Sequence, residues 1–343
     1  MLLPKQSKTI SPADMPSDYA EALQLWHGKP YHSLNHYLQN RFGEKIYKIA
    51  LNGGFTCPNR DGTLGNRGCI FCSAGGSGDF AGDRVQTPSA RLSEPPAAVP
   101  AISAQLAAGK DLLSRKHTGS KYIAYFQAFT NTYGPIETLE KLYSEAIAAP
   151  ETAILSIATR PDCLSPEVIA LLERLNRIKP VWVELGLQTI HEKTARFIRR
   201  GYGLDRFIEA LENLRAAGIE TIVHTILGLP GETAEDILET HRFLAEQPIQ
   251  GIKLQLLHVL KGTDLTDIYA ASPFHVLSMD EYADLVIRCL EVLPPETVIH
   301  RITGDGPKNL LVAPLWSGHK KQVLNTIHHT FKTRSTWQGR LYH

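Results

Sequence analysis

Strand-like and helix-like segments alternate along most of this chain, and that alternation limits its fold more than any other feature. Short apolar, β-branched or aromatic runs stand at 46–51, 122–126, 153–157, 181–185, 221–227, 251–258 and 297–302. Between them, helical periodicity predicts helices over 97–116, 136–148, 166–178, 191–200, 204–217, 232–247 and 279–293. Ser165 with Pro166 marks one helix start, and Gly218 marks one helix end. Strands that alternate with helices build a parallel sheet covered by helices. The strands are too few for a closed eight-stranded barrel. The expectation is therefore an α/β fold, a partial (β/α)6 TIM-like barrel. Helices at 19–26 and 34–42 precede it. The expected domains are an N-terminal arm with helices (1–44), the barrel (45–303) and a C-terminal extension with a basic tail (304–343).

Polar residues stand at or near the C-terminal ends of the strands: Gln127, Arg160, Glu184, Gln188, His224 and His258. In a parallel α/β barrel that end carries the active site, so these residues predict a lined cavity. Simpler readings exist for several. Glu184 can pair with Arg160 or Lys253, His224 and His258 can be core histidines, and Asp162 can cap a turn.

Three of the five cysteines, Cys57, Cys69 and Cys72, share one glycine-rich stretch. Three thiols cannot pair off as disulfides, and Cys-x-x-Cys with a third thiol nearby is a metal or iron–sulfur ligand set. A structural zinc needs a fourth ligand. The loop offers none, so His117 or Cys163 would have to come from elsewhere. A four-iron cluster on three thiolates keeps one iron open for another ligand. Cys163 and Cys289 stand alone and read as small buried apolar residues.

The bulk numbers add limits. With 343 residues, 43% hydrophobic and 21% charged, the chain can bury a large core, and its net charge of +1 points to no particular partner. No apolar run nears the roughly 20 residues of a membrane span, and Met1–Lys8 lacks the apolar core of a signal peptide. A cytoplasmic protein without a membrane partner is expected.

Six motifs together resemble the radical S-adenosylmethionine (radical SAM) superfamily, and within it the YhcC/YtqA-type proteins. They are Gly53-Gly-Phe-Thr-Cys-Pro-Asn-Arg-Asp-Gly62, Tyr125-Phe-Gln-Ala-Phe-Thr-Asn-Thr-Tyr133, Ala158-Thr-Arg-Pro-Asp-Cys-Leu164, Glu184-Leu-Gly-Leu-Gln-Thr189, Gly228-Leu-Pro-Gly-Glu232 and His300-Arg-Ile-Thr-Gly-Asp305. The eleven residues between Cys57 and Cys69 depart from the superfamily's usual three. More distantly the chain is similar to the radical SAM domain of the elongator catalytic subunit and to oxygen-independent coproporphyrinogen oxidase. The resemblance implies a [4Fe–4S] cluster on Cys57, Cys69 and Cys72. It implies S-adenosylmethionine on the open iron, its one-electron cleavage to a 5′-deoxyadenosyl radical, and an electron donor such as flavodoxin or ferredoxin. It also implies cofactor contacts at Gln127, Thr130, Glu184, Gln188, Arg200 and His224, and an adenine-side loop at 228–232.

Basic residues (Lys308, His319, Lys320, Lys321, His328, His329, Lys332, Arg334, Arg340) interleave with Trp316, Phe331, Trp337 and Tyr342 near the C-terminus. Such a mixture suits RNA backbone and stacked bases, and equally a solvated helix with a frayed tail. With the elongator likeness, it points to tRNA as partner and to the 5-carboxymethylaminomethyl group of a wobble uridine as substrate. A radical enzyme for a small metabolite and a zinc-stabilised RNA-binding protein are the other readings.

Overall fold

The computed structural model describes residues 16–73, 75–76, 99–114, 119–304 and 306–342. The expected arm (1–16) apart from Pro16, the ends of the expected 97–116 helix, His117 and Asp305 lie outside them. The chain divides into two compact units, one made of Glu44–Gly186 with Arg199–Thr221, the other of the described parts of 1–43, 187–198 and 222–343.

In the first unit four strands pair in parallel in chain order: β1 (Tyr47–Leu51), β2 (Tyr122–Phe126), β3 (Thr152–Thr159) and β4 (Val181–Gln188, whose last two residues belong to the second unit). Every residue of β2 and β3 is buried, as in a parallel strand covered on both faces. Between strands run α3 (Ile102–Ser114), α4 (Ile136–Ala148) and α5 (Pro166–Asn176), and α7 (Leu204–Ala216) follows later. Ser165 accepts from the Val168 amide and Pro166 opens α5, as expected.

The second unit begins with α1 (Tyr19–Leu25) and α2 (Leu34–Phe42) and includes α6 (Glu192–Phe197). Its strand β5 (Glu220–Leu227, from Ile222 onward) pairs in parallel with β6 (Gly251–Leu256), which pairs in parallel with β8 (Val298–Arg301). A small antiparallel pair, β7 (Val259–Leu260) with β9 (Leu311–Ala313), stands apart. The helices are α8 (Ala234–Ala245), α9 (Asp264–Ala271), α10 (Met279–Val292) and α11 (Lys320–Arg334). Helix α8 starts two residues after the predicted Glu232 because Thr233 and Asp236 form a capping box. Helix α6 stops at Phe197, short of the predicted 200. Beyond it Arg199 takes φ +56°, a left-handed conformation that no helix continues through.

The C-terminal segment corrects one expectation. Phe331 and Trp337 are 0% and 9% exposed, so they are core residues and not platforms for stacked bases. Trp337 packs with Ala22 and Trp26. The tail is not frayed either. The Gln338 side chain accepts from the His32 amide (2.9 Å) and donates to the carbonyls of Pro294 (2.6 Å) and Thr297 (2.9 Å). The outward face of α11 carries basic residues among neutral ones: Lys321, His329 and Lys332 are exposed beside Gln322, Asn325 and Thr333, and the helix contains no acidic residue.

Candidate functional site

The cysteine loop folds on itself directly after β1. The Cys57 carbonyl accepts from the amides of Arg60 (2.7 Å) and Asp61 (3.2 Å), Pro58 from Leu64 (2.8 Å), Asn59 from Gly68 (2.7 Å) and Cys69 from Cys72 (3.1 Å). Gly68 sits at φ +72°, and a Cβ there would stand 2.9 Å from Arg60, so glycine alone lets the spacer close. Arg60 is turned inward: its guanidinium donates to the carbonyls of Cys72 (3.2 Å) and Ser73 (2.6 Å) and lies over the Phe129 ring.

All five cysteines are free thiols, and Cys57, Cys69 and Cys72 are half-buried. A hydrogen bond from Cys72 is the largest influence that draws the Cys69 thiol down to about 7. Burial opposes it, and Arg160, Asn59 and Arg60 assist. The same bond and burial raise Cys72. The thiolate is the ligand form, so this surrounding favours metal binding at Cys69. Cys163 is half-buried and Cys289 fully buried, and burial is the main cause that raises both thiols.

Behind the loop lies a network that the sequence left unread. Asn59 is buried, and its amide nitrogen is 2.8 Å from the Arg199 carbonyl, 3.2 Å from that of Arg200 and 3.7 Å from Cys69 Sγ. Arg160 grips Asp162 through two bonds (2.9 and 2.7 Å) and donates to the Arg200 carbonyl (2.9 Å). Asp162 therefore serves Arg160 and not a backbone turn, and Arg160 is not the partner of Glu184. Burial works against the Arg160 charge, and Asp162 more than offsets it. Arg200 is 1% exposed, far from a solvated helix-end charge; its Nε donates to the Tyr202 carbonyl (3.0 Å). The guanidinium carbons of Arg160 and Arg200 stand 4.8 and 4.9 Å from the centre of the Tyr202 ring. The Tyr202 hydroxyl donates to the Gly186 carbonyl.

The other expected residues of this unit are also placed by backbone pairing. Gln127 follows β2, and its amide donates to Leu51 (3.2 Å). Thr130 is buried, with its amide on the Thr56 carbonyl (3.2 Å), which ties the 127–130 turn to the residue before Cys57. Glu184 is fully buried and accepts from Lys48 Nζ (2.5 Å) and Ser156 Oγ (2.8 Å). Lys48, absent from the sequence expectations, lies 4.6 Å from the centre of the Tyr125 ring. Lys48, Ser156 and Glu184 sit on three different strands, and only the register brings them together.

In the second unit, Gln188 takes φ +68°, and its buried Oε1 has no hydrogen-bond partner among the described residues. The same holds for Glu232 Oε1 at the end of the 228–232 loop, where burial raises the carboxyl pKa. A buried acceptor without a partner is costly and marks a place for a donor. His224 pairs in register with Lys253, and Lys253 with Arg301. Residues in register share a sheet face, so three basic side chains stand abreast. Thr225 points the other way, to His241 of α8 (3.3 Å). His258 follows β6, with Nε2 3.1 Å from Ser317 Oγ. His191, Asp236 and Glu239 form the one compact donor group among the described residues. There His191 Nε2 is 2.8 Å from the Asp236 carbonyl and Asp236 caps α8, so these groups have structural uses.

Comparison with known proteins finds two matching family models. Residues 62–244 match the family model for the Radical SAM superfamily, and 249–333 match the Radical_SAM C-terminal domain. The chain is 44% identical over 314 residues to uncharacterized protein YtqA of Bacillus subtilis, covering 92% of this chain and 93% of that one. It is 35% identical over 280 residues to protein YhcC of Escherichia coli, covering 81% and 85%. Among solved structures, archaeal Elp3 of Methanocaldococcus infernus aligns with a TM-score of 0.62 at 16% identity. That alignment covers 85% of this chain and 64% of the Elp3 chain, and it shows the fold, a parallel α/β partial barrel.

Proposed function

The chain belongs to the radical SAM superfamily, and on that premise we propose that it modifies the 5-carboxymethylaminomethyl substituent of a wobble uridine in tRNA. That it is a radical SAM enzyme, with a [4Fe–4S] cluster and S-adenosylmethionine as cofactors, follows from the family. The observation that carries the site assignment is the gathering of three free thiols under Asn59, Arg60 and Arg160.

Bound there, the two cofactors supply one-electron reductive cleavage of a sulfonium, which yields hydrogen-atom abstraction from an unactivated carbon. The protein's part is to hold and to exclude. Cys57, Cys69 and Cys72 are the ligands in this reading. The folded spacer and the 127–130 turn close around them, with Gln127 and Thr130 on the cofactor side. The unpartnered acceptors of Gln188 and Glu232 take hydroxyl or amine donors of a nucleoside. Arg200, stacked on Tyr202, keeps the 199–201 turn in place beside the loop and lends it positive charge. Glu184, held by Lys48 and Ser156, is a fixed carboxylate for a cofactor donor. The basic row His224, Lys253 and Arg301 suits an anionic group on the substrate, as a carboxymethyl group or a phosphate provides. The exposed basic face of α11 suits an RNA backbone. A donor of the flavodoxin or ferredoxin class supplies the electron.

Two measurements test the reading in turn. Anaerobic purification with iron, zinc and absorbance analysis tests the cluster, and stoichiometric zinc without iron rejects it. Modified-nucleoside analysis of tRNA from a deletion strain tests the substrate. An unchanged wobble-uridine profile rejects tRNA and leaves a small-molecule radical enzyme.

A further inference from the structure

The residues between Cys57 and Cys69 include one side chain that reaches the sulfur. Asn59 is 6% exposed, and its amide nitrogen faces three acceptors: Arg199 O at 2.8 Å, Arg200 O at 3.2 Å and Cys69 Sγ at 3.7 Å. A carboxamide nitrogen carries two hydrogens. Two hydrogens thus serve three acceptors, the Cys69 sulfur among them. The Arg200 carbonyl is itself fixed, because Arg160 donates to it (2.9 Å). Arg199 at φ +56° and Gly201 at φ +84° give the turn that aims both carbonyls. A Cβ at Gly201 would lie 2.7 Å from Asn59 Oδ1, so a side chain there would displace the Asn59 carboxamide. The amide thus has one orientation, set by residues far from it in sequence.

We propose that Asn59 is a positioning residue for Cys69, donating an N–H···S hydrogen bond that makes a cluster held there easier to reduce. This rests on the reading of Cys57, Cys69 and Cys72 as cluster ligands. The physical reason is charge. A donor to a ligating sulfur withdraws electron density and stabilises the form that has gained an electron. The long spacer then has a use beyond linking two ligands: it carries this donor into the 199–201 turn.

The test uses full-length protein reconstituted anaerobically with iron and sulfide. Dithionite supplies the single electron, and the cluster is followed by EPR during a redox titration. Asn59→Ala and the near-isosteric Asn59→Asp both remove the donor. At the wild-type midpoint each should show about a tenfold lower ratio of reduced to oxidised cluster, a shift of about 59 mV for a one-electron couple. Wild-type protein labelled with 15N only in asparagine side chains should show a nitrogen hyperfine coupling to the reduced cluster, and Asn59→Ala should lose it. A loaded variant with an unchanged midpoint, or a loaded wild type without the coupling, overturns the role of Asn59 alone. If the variants take up no iron, the labelled wild type decides by itself. Wild-type protein that takes up no iron overturns both this proposal and the ligand reading beneath it.

Discussion

Replacing Gly201 by alanine tests how tightly the cysteine loop is locked. Gly201 sits at φ +84°, where an L-residue pays about 1–2 kcal/mol. The new Cβ would meet Asn59 Oδ1 at 2.7 Å and the nitrogens of Asn59 and Arg160 at 3.3 Å. Something must move, and the first candidate is the Asn59 side chain, which holds the carbonyls of Arg199 and Arg200. Loss of those two bonds costs about 0.5–1.5 kcal/mol each, so the whole substitution costs about 2–5 kcal/mol. Urea unfolding of the metal-free protein, followed by fluorescence and circular dichroism, measures it. Repeating it in an Asn59→Ala background closes a double-mutant cycle. With the obstructing side chain gone, Gly201→Ala should there cost only the backbone strain, about 1–2 kcal/mol. A single-variant cost under about 0.5 kcal/mol, within the range of neutral surface changes, or strict additivity in the cycle, would refute the lock.

Three further outcomes are expected. His241 is buried between Ile237 O (2.7 Å) and Thr225 Oγ1 (3.3 Å), and burial pushes its pKa down to about 4. An unfolded histidine protonates near pH 6.5, so stability is complete above that pH and falls toward pH 4, by about 3 kcal/mol from this group; His241→Gln should flatten the slope in that window, and an unchanged slope counts against the assignment. Gln338→Ala removes three bonds from a fully buried side chain and should destabilise by about 3 kcal/mol, whereas no loss in thermal or urea unfolding would mean that the end of the chain is not anchored. Paired Lys321→Glu and Lys332→Glu reversals on α11 should weaken tRNA binding and reduce its salt slope by about 2; filter binding across a salt series with neither change would remove that face from the RNA interface.

The local elements were legible in the sequence because they depend on local chemistry. Helix α2 and helix α4, and strand β2, fall on the predicted residues, since period and caps act within a few positions. Where prediction overran, at the start of α8 and the end of α6, a cap or a left-handed residue decided the boundary. The small β7–β9 pair and α9 had no signal strong enough to be read.

The sequence by itself determined the α/β class, the three-thiol set and the family resemblance, because alternation and ligand spacing are carried by neighbouring residues. It could not assign partners to charges. Glu184 had two cationic candidates; Arg160 went to Asp162 instead, and Lys48, 136 positions away and not among them, joined Glu184 once β1 and β4 were placed. Arg200 carried no sign in the sequence that its charge would be buried, and Phe331 and Trp337 read as RNA contacts and became core. Asn59 looked like a spacer residue until a turn 140 positions away met it. Each of these depends on which distant segments the fold brings into contact, within about 3 Å for a hydrogen bond and about 4 Å for apolar packing, and only the tertiary structure supplies those distances.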